Sequence, residues 1–366
     1  MIFWSALNTY IISLLLWFTT FSVTIAQTAI SKGVMKLLTK RQNMLETIRG
    51  GKPDRFVNQF EAISFIFRTP LGMRSPRPMQ QTGWEMVNAW GVTIRFQEGT
   101  PGPFPVHDEE HIVLKDVTKW KETVKFPSLD FPQSEWDECA AEAAKIDRSE
   151  VFASAMIAPG VFDHLHYLMG MEECLVSFYT EPEALKELIA AITDWELEYA
   201  RLVCEHLKPD MVFHHDDWGS HRSTFLSPEM FDEFIFPSYK KIYGYYKTHG
   251  CELVVHHSDS YAATLVPYMI DMGIDVFQGC VDTNNVPELI KKYGGKISFM
   301  GAINNGIVDV PDWTDELIAD FVEKTCRECG TLYFIPCCTA GGPASSYPGA
   351  FDAVTREINR MSTLMF

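Results

Sequence analysis

LVVHHSDSYAATL, residues 253–265, decides how the rest of the chain reads. Leu253, Val254 and Val255 form a short all-apolar run of the kind that makes a strand buried on both faces. The run stops at two histidines, a serine and an aspartate, which either satisfy a turn or hold a ligand. MVFHHDDWG at 211–219 repeats the pattern, with four ionisable residues directly after an apolar run.

Working outward, helical periodicity alternates with such runs. EPEALKELIAAITDWELEYARLVCEHL (181–207) repeats apolar residues at helical spacing, and Ser227-Pro228-Glu229 marks the start of another helix. The remaining expected strands are DVFQG (275–279), ISFMGAIN (297–304) and TLYFIPCC (331–338), with helices between them. Five strands alternating with helices predict an α/β protein with a parallel sheet, and the length suits a closed (β/α)8 TIM barrel. No GxGxxG or Walker-type loop supports a nucleotide-binding alternative. In a barrel the chemistry sits at strand C-terminal ends. His214 to Asp217, His256 to Asp259, Gln278 with Asp282, Asn304 with Asn305, and Cys337 with Cys338 all fall there.

The chain has 366 residues and a formal net charge of −17, with no basic stripe, which argues against nucleic acid. Its nine cysteines are expected to be reduced, buried thiols rather than a zinc ribbon or a redox dithiol. Residues 1–34 differ from the rest, since no charged side chain occurs from Ile2 to Ala26. This extension reads as a signal-like or membrane-anchoring segment, or as sequence ahead of the true start at Met35. Basic residues after it would keep residues 35–366, the expected barrel domain, in the cytoplasm.

Five stretches together resemble the uroporphyrinogen decarboxylase superfamily. They are TKRQNMLETIRGGKPDR (39–55), GVFDHLHYLMGMEECLVSFYTEPEAL (160–185), HHDDWGSHRSTFLSPEMFDEFIFPSYKKI (214–242), HHSDSYAATLVPYMIDMGIDVFQ (256–278) and KKYGGKISFMGAINN (291–305). The resemblance implies a (β/α)8 barrel with its site in the top cleft. True decarboxylases of this superfamily carry an arginine-rich amino-terminal signature. FRTPLGMRSPRPMQQTGWEMVNAWG (67–91) has Arg68, Arg74 and Arg77 but not that order, so the chain is more similar to the corrinoid-dependent methyltransferases. Those bind zinc through His-x-Cys and a later cysteine. Here His257-Ser258-Asp259 stands at the first place and Cys337-Cys338 at the second, a chemically reasonable zinc set of His257, Asp259 and one cysteine.

The implied activity is transfer of a methyl group from a small O-methyl donor, in one version an aromatic ether, to a Co(I) corrinoid on a partner protein. Zinc would polarise the donor oxygen. A cofactor-free decarboxylase acting on uroporphyrinogen or another polycarboxylate, and a non-catalytic ligand-binding barrel, remain open alternatives. A homodimer is an expectation from the resemblance alone. Asp216 and Asp217 are candidates for a general acid, a ligand or an imidazole partner, against simple capping and solvation. His215 joins them as a catalytic candidate, although strand alternation lets only one of His214 and His215 face inward. His256 is expected on the outer face, and only one of Cys337 and Cys338 can point to the mouth. Trp218, Gln278, Asn304 and Arg74 are candidate substrate contacts. Trp84, Trp90, Tyr261 and Phe351 could line an aromatic pocket or simply fill the core.

Overall fold

The computed structural model describes residues 37–74, 82–98, 100, 102–343 and 346–366. Residues 1–34 and Arg77, singled out above, lie outside that set. Thr39–Phe366 form a compact unit. Its strands are β1 (Ile63–Ile66), β2 (Trp84–Val87), β3 (Thr93–Phe96), β4 (Phe104–Pro105), β5 (Phe152–Ile157), β6 (Met211–His215), β7 (Leu253–His257), β8 (Val276–Cys280), β9 (Ser298–Ile303) and β10 (Phe334–Cys338). The five strands expected from the apolar runs are β6 to β10.

Seven strands form one parallel sheet in the order β1-β5-β6-β7-β8-β9-β10, while β2, β3 and β4 make a separate antiparallel sheet. β7, β8, β9 and β10 are buried along their whole length, as apolar runs covered on both faces should be. Side chains alternate between two cores. Met211, Phe213, Leu253, Val255, Val276, Met300, Ile335 and Cys337 pack together on the concave side. Val212, Val254, Phe277, Phe299, Phe334 and Cys338 pack under the helices.

The helix Pro182–Leu207 starts with proline in its first turn and buries Leu185, Leu188, Ile189, Ile192, Tyr199, Val203 and Leu207, a stripe at helical spacing. Each fully buried leucine of this kind stabilises by roughly 1.5–3 kcal/mol. Ser227 caps the next helix, Pro228–Phe234, by accepting a hydrogen bond from the Met230 N–H.

Two expectations need correction. Among the described residues the sheet is a curled ladder of seven strands, not a closed ring of eight. No ladder joins β10 to β1. Gln59 bridges that gap from an irregular segment at φ +52°. Its N–H donates to the Pro336 carbonyl at 3.1 Å, and its Oε1 accepts the Cys338 N–H at 3.3 Å. The second is the expectation that the chain holds no Cys-x-x-Cys pair. Cys326 and Cys329 do form a Cys-x-x-Cys pair, but they lie in the last turn of the helix Asp315–Cys329, buried and free. Burial pushes the Cys326 thiol up to about 12, so it is inert at neutral pH. Among the described residues no helix is long and apolar enough to cross a membrane.

Candidate active site

β6 and β7 pair in register, His214 beside His256 and His215 beside His257. Alternation therefore puts His215 and His257 together on the concave face, their rings stacked with centroids 4.5 Å apart. Each ring is held at Nδ1 by an oxygen. His215 Nδ1 lies 3.1 Å from Asp163 Oδ2, and His257 Nδ1 is hydrogen-bonded to Gln278 Oε1 of β8. Both oxygens accept only, when the carboxylate is ionised, so both rings must donate from Nδ1. In the neutral tautomer that leaves each Nε2 with a free lone pair. Asp217 lies beside them, with Oδ2 3.9 Å from His215 Nε2. One ligand atom from each of His215, Asp217 and His257 lies within 4.8 Å of the other two.

The charges in this cluster oppose one another. Burial lowers the pKa of His215, but Asp217, Asp163 and Asp259 outweigh it and lift the ring to about 10. Burial, then the charge of His215, depresses His257 to about 4. Burial raises Asp217 to about 7 against the pull of His215. Asp163 stays well below the ordinary carboxylate range despite burial, because His166 and His215 both hydrogen-bond to it. Two imidazoles with anchored Nδ1 atoms and a carboxylate are a chemically sound donor set for a divalent metal such as zinc.

A backbone frame fixes this arrangement. Asp163 sits in the first turn of the helix Val161–Met169, which follows β5. Asp216 holds that turn from across the sheet, accepting the Phe162 N–H at 3.0 Å and the Asp163 N–H at 2.6 Å. Gly160 must be glycine, since a Cβ there would lie 2.3 Å from Tyr239 Oη and 2.6 Å from the Asp216 Cβ. On the other flank Gly279, at φ +89°, lets β8 approach the 258–259 turn; its Cβ would meet the Ser258 carbonyl at 2.8 Å.

The sequence candidates separate accordingly. His215, Asp217, His257 and Gln278 meet at one place. Asp259 lies beside them, donating its N–H to Asp217 Oδ1 at 3.1 Å, but its carboxylate is not among the converging atoms. Cys337 faces the concave core, where its thiol meets the Gln278 side chain, and Cys338 faces the helices. The expected His257, Asp259 and cysteine set is therefore not what converges; the cluster is His215, Asp217 and His257.

Asp216 is no free acid. Besides the helix N–H groups it accepts from Trp218 Nε1 at 2.9 Å and from the Tyr239 hydroxyl. Trp218 itself is buried, stacked 3.7 Å from the His256 ring. Asn304 caps the short helix after β9 and bonds Asp282 at 2.8 Å. Arg74 pairs with Glu135 at 2.9 Å and lies over Phe131, and Arg68 pairs with Glu138. Both arginines are thereby bound to the helix Gln133–Ala143. Trp90 is core, packed on His164 and Trp195. Asp163, the residue that orients His215, was not anticipated; its one signal was the Asp-x-x-His spacing to His166 on a helix next to a strand end.

A family model described as "Uroporphyrinogen decarboxylase (URO-D)" matches residues 86–329. The chain belongs to the uroporphyrinogen decarboxylase family. Among solved structures, a methyltransferase from Methanosarcina mazei is similar at a TM-score of 0.60 and 13% sequence identity, over 88% of this chain and 99% of that one. At that identity the likeness is one of fold. No curated protein sequence matches the chain. Within the family fold, the cluster of His215, Asp217 and His257 stands at the strand ends, where barrel enzymes carry their chemistry.

Proposed function

We propose that this member of the uroporphyrinogen decarboxylase family is a corrinoid-dependent methyltransferase that takes its methyl group from a small O-methyl donor. The observation that carries the reading is the convergence of His215, Asp217 and His257, with both Nδ1 atoms anchored. These residues would hold a zinc-type ion, which would supply Lewis-acid polarisation of the donor oxygen. A corrinoid on a partner protein is the methyl acceptor this reading requires.

The chain's own residues do the positioning. Asp163 and Gln278 fix the two imidazoles, and Asp216 fixes the helix turn that carries Asp163. As the donor's C–O bond breaks, its electron pair stays on oxygen, beside the three converging groups. The loops that directly follow β5, β7, β8, β9 and β10 contain no lysine or arginine. Arg68 and Arg74 are already paired with glutamates. Among the described residues, Arg222 in the loop after β6 is the arginine closest in sequence to the cluster, and a polycarboxylate would also meet the Asp163, Asp217 and Asp259 carboxylates, which weighs against decarboxylation of such a substrate.

The test is metal analysis together with turnover. Purified protein should hold about one equivalent of zinc, lost in His257→Ala, and should methylate Co(I) cobalamin from methanol or a methyl ether, followed by visible absorbance. A metal-free protein that decarboxylates a carboxylated pyrrole would refute the proposal.

A further inference from the structure

On the helix side of the sheet lies a second group of ionisable side chains, which methyl transfer does not use. His214 and His256 are register partners on β6 and β7, and alternation turns them away from the face that carries His215 and His257. Glu196, on the helix Pro182–Leu207, approaches from outside, its Oε2 3.5 Å from His214 Nε2. Tyr239 and Tyr243 of the helix Phe236–Thr248 wall the place, with ring centroids 5.4 and 5.6 Å from that of His214. Glu196, His214 and His256 are each at most 3% exposed.

Protein atoms do not meet the hydrogen-bonding capacity of this group. Among the described residues, seven buried side-chain nitrogen and oxygen atoms lack a hydrogen-bond partner. Five of them are here: both Glu196 oxygens, both His214 nitrogens and His256 Nε2. Buried polar groups are nearly always paired, so such a concentration calls for a ligand. The neighbouring hydroxyls are already engaged. Tyr243 Oη bonds His256 Nδ1 at 2.7 Å, and Tyr239 Oη accepts the Val161 N–H and donates to Asp216. Drawing Glu196 and His214 together to a hydrogen-bond length of about 2.7–3.2 Å would satisfy one atom of each. One Glu196 oxygen, one His214 nitrogen and His256 Nε2 would remain.

A neutral imidazole offers one N–H and one lone pair, so the ligand must both donate and accept. Burial, then the charges of Asp216 and Asp163, raises the Glu196 carboxyl well above its ordinary range, so it is a neutral acid and calls for no cation. We propose that Glu196, His214 and His256 form an internal hydration site, in which at least one water molecule bridges the helix Pro182–Leu207 to the outer face of β6 and β7. A buried water makes about three hydrogen bonds, which matches the three atoms left over. The site supports the two strand ends that carry His215 and His257 from behind. It stands independently of the methyl-transfer reading, since it needs neither metal nor substrate.

Magnetic relaxation dispersion of the water resonance, recorded on the full chain in solution, counts long-lived internal waters and tests the site. Glu196→Gln keeps a donor and an acceptor in the same shape, whereas Glu196→Leu removes both. The parent and Glu196→Gln should each hold at least one more long-lived water than Glu196→Leu, and only Glu196→Leu should show a clearly lower urea midpoint. Equal water counts in the parent and Glu196→Leu would overturn the proposal. So would a midpoint lowered alike in both variants with no water lost, which would assign Glu196 to direct pairing with His214. If Glu196→Leu does not fold, a high-resolution crystal structure of the parent decides. Water density within hydrogen-bond distance of Glu196 and of His214 or His256 is expected. Finding all three residues bonded to protein atoms alone would refute the site.

Discussion

Asp163 Oδ2 stands 3.1 Å from His215 Nδ1, though the two residues are 52 positions apart and reach each other from neighbouring strand–helix units. The other oxygen of Asp163 holds His166 Nε2 at 3.0 Å. One buried carboxylate therefore fixes the tautomer and the tilt of a ring that faces the mouth.

Asp163→Asn should weaken zinc binding by about 10–100-fold, the usual cost of losing a carboxylate that orients a metal-binding histidine. A competition titration with a chromophoric chelator reads this directly. A circular dichroism spectrum matching the parent would confirm that the fold is intact, and an unchanged zinc affinity would show that Asp163 is not the orienting group.

Asp216→Ala should be among the most damaging single changes. It strands two helix N–H groups, the Trp218 indole and the Tyr239 hydroxyl in a fully buried place. About 3–5 kcal/mol of stability should be lost, visible as a lower urea midpoint. Arg74→Ala removes a partly exposed pair with Glu135 and the contact with the Phe131 ring, and should cost no more than about 1 kcal/mol.

Alkaline pH should destabilise the metal-free protein through His215. Its folded pKa, about 10, lies above the unfolded value near 6.5. The folded state therefore binds the extra proton, and its contribution is fully present below about pH 6.5. That contribution falls as pH rises toward and through about 10. Urea midpoints measured from pH 6.5 to 10.5 should fall more steeply for the parent than for His215→Asn. Parallel curves would contradict the assignment.

Gly279→Ala forces an L side chain into φ +89° and drives its Cβ to 2.8 Å from the Ser258 carbonyl. Strain of about 1–3 kcal/mol should follow. Since the displaced turn carries Asp259, whose N–H bonds Asp217, zinc affinity should fall as well. A crystal structure of the variant with the 258–259 turn unmoved would count against this coupling.

Much of the architecture was legible in local pattern. Short apolar runs cut off by ionisable residues mark β6 to β10, because a strand covered on both faces has no room for charge until it reaches the rim. The same period of two separates His215 and His257, which face inward, from His214 and His256, which do not. What could not be read was β1, an isolated ISFI run without a following helical pattern, and the way Gln59 replaces a ladder beside Pro336.

By itself, the sequence determined that a parallel α/β sheet forms and that imidazoles and carboxylates gather at its C-terminal edge. Only the tertiary structure decided which of them meet. Strand order and register place β6 beside β7, so Asp217 and His215 join His257 where Asp259 and a cysteine were expected. The contact of Asp163 with His215 likewise joins segments far apart in the chain. Periodicity reports the face on which a side chain lies, whereas convergence depends on distances between strands, which no local pattern encodes.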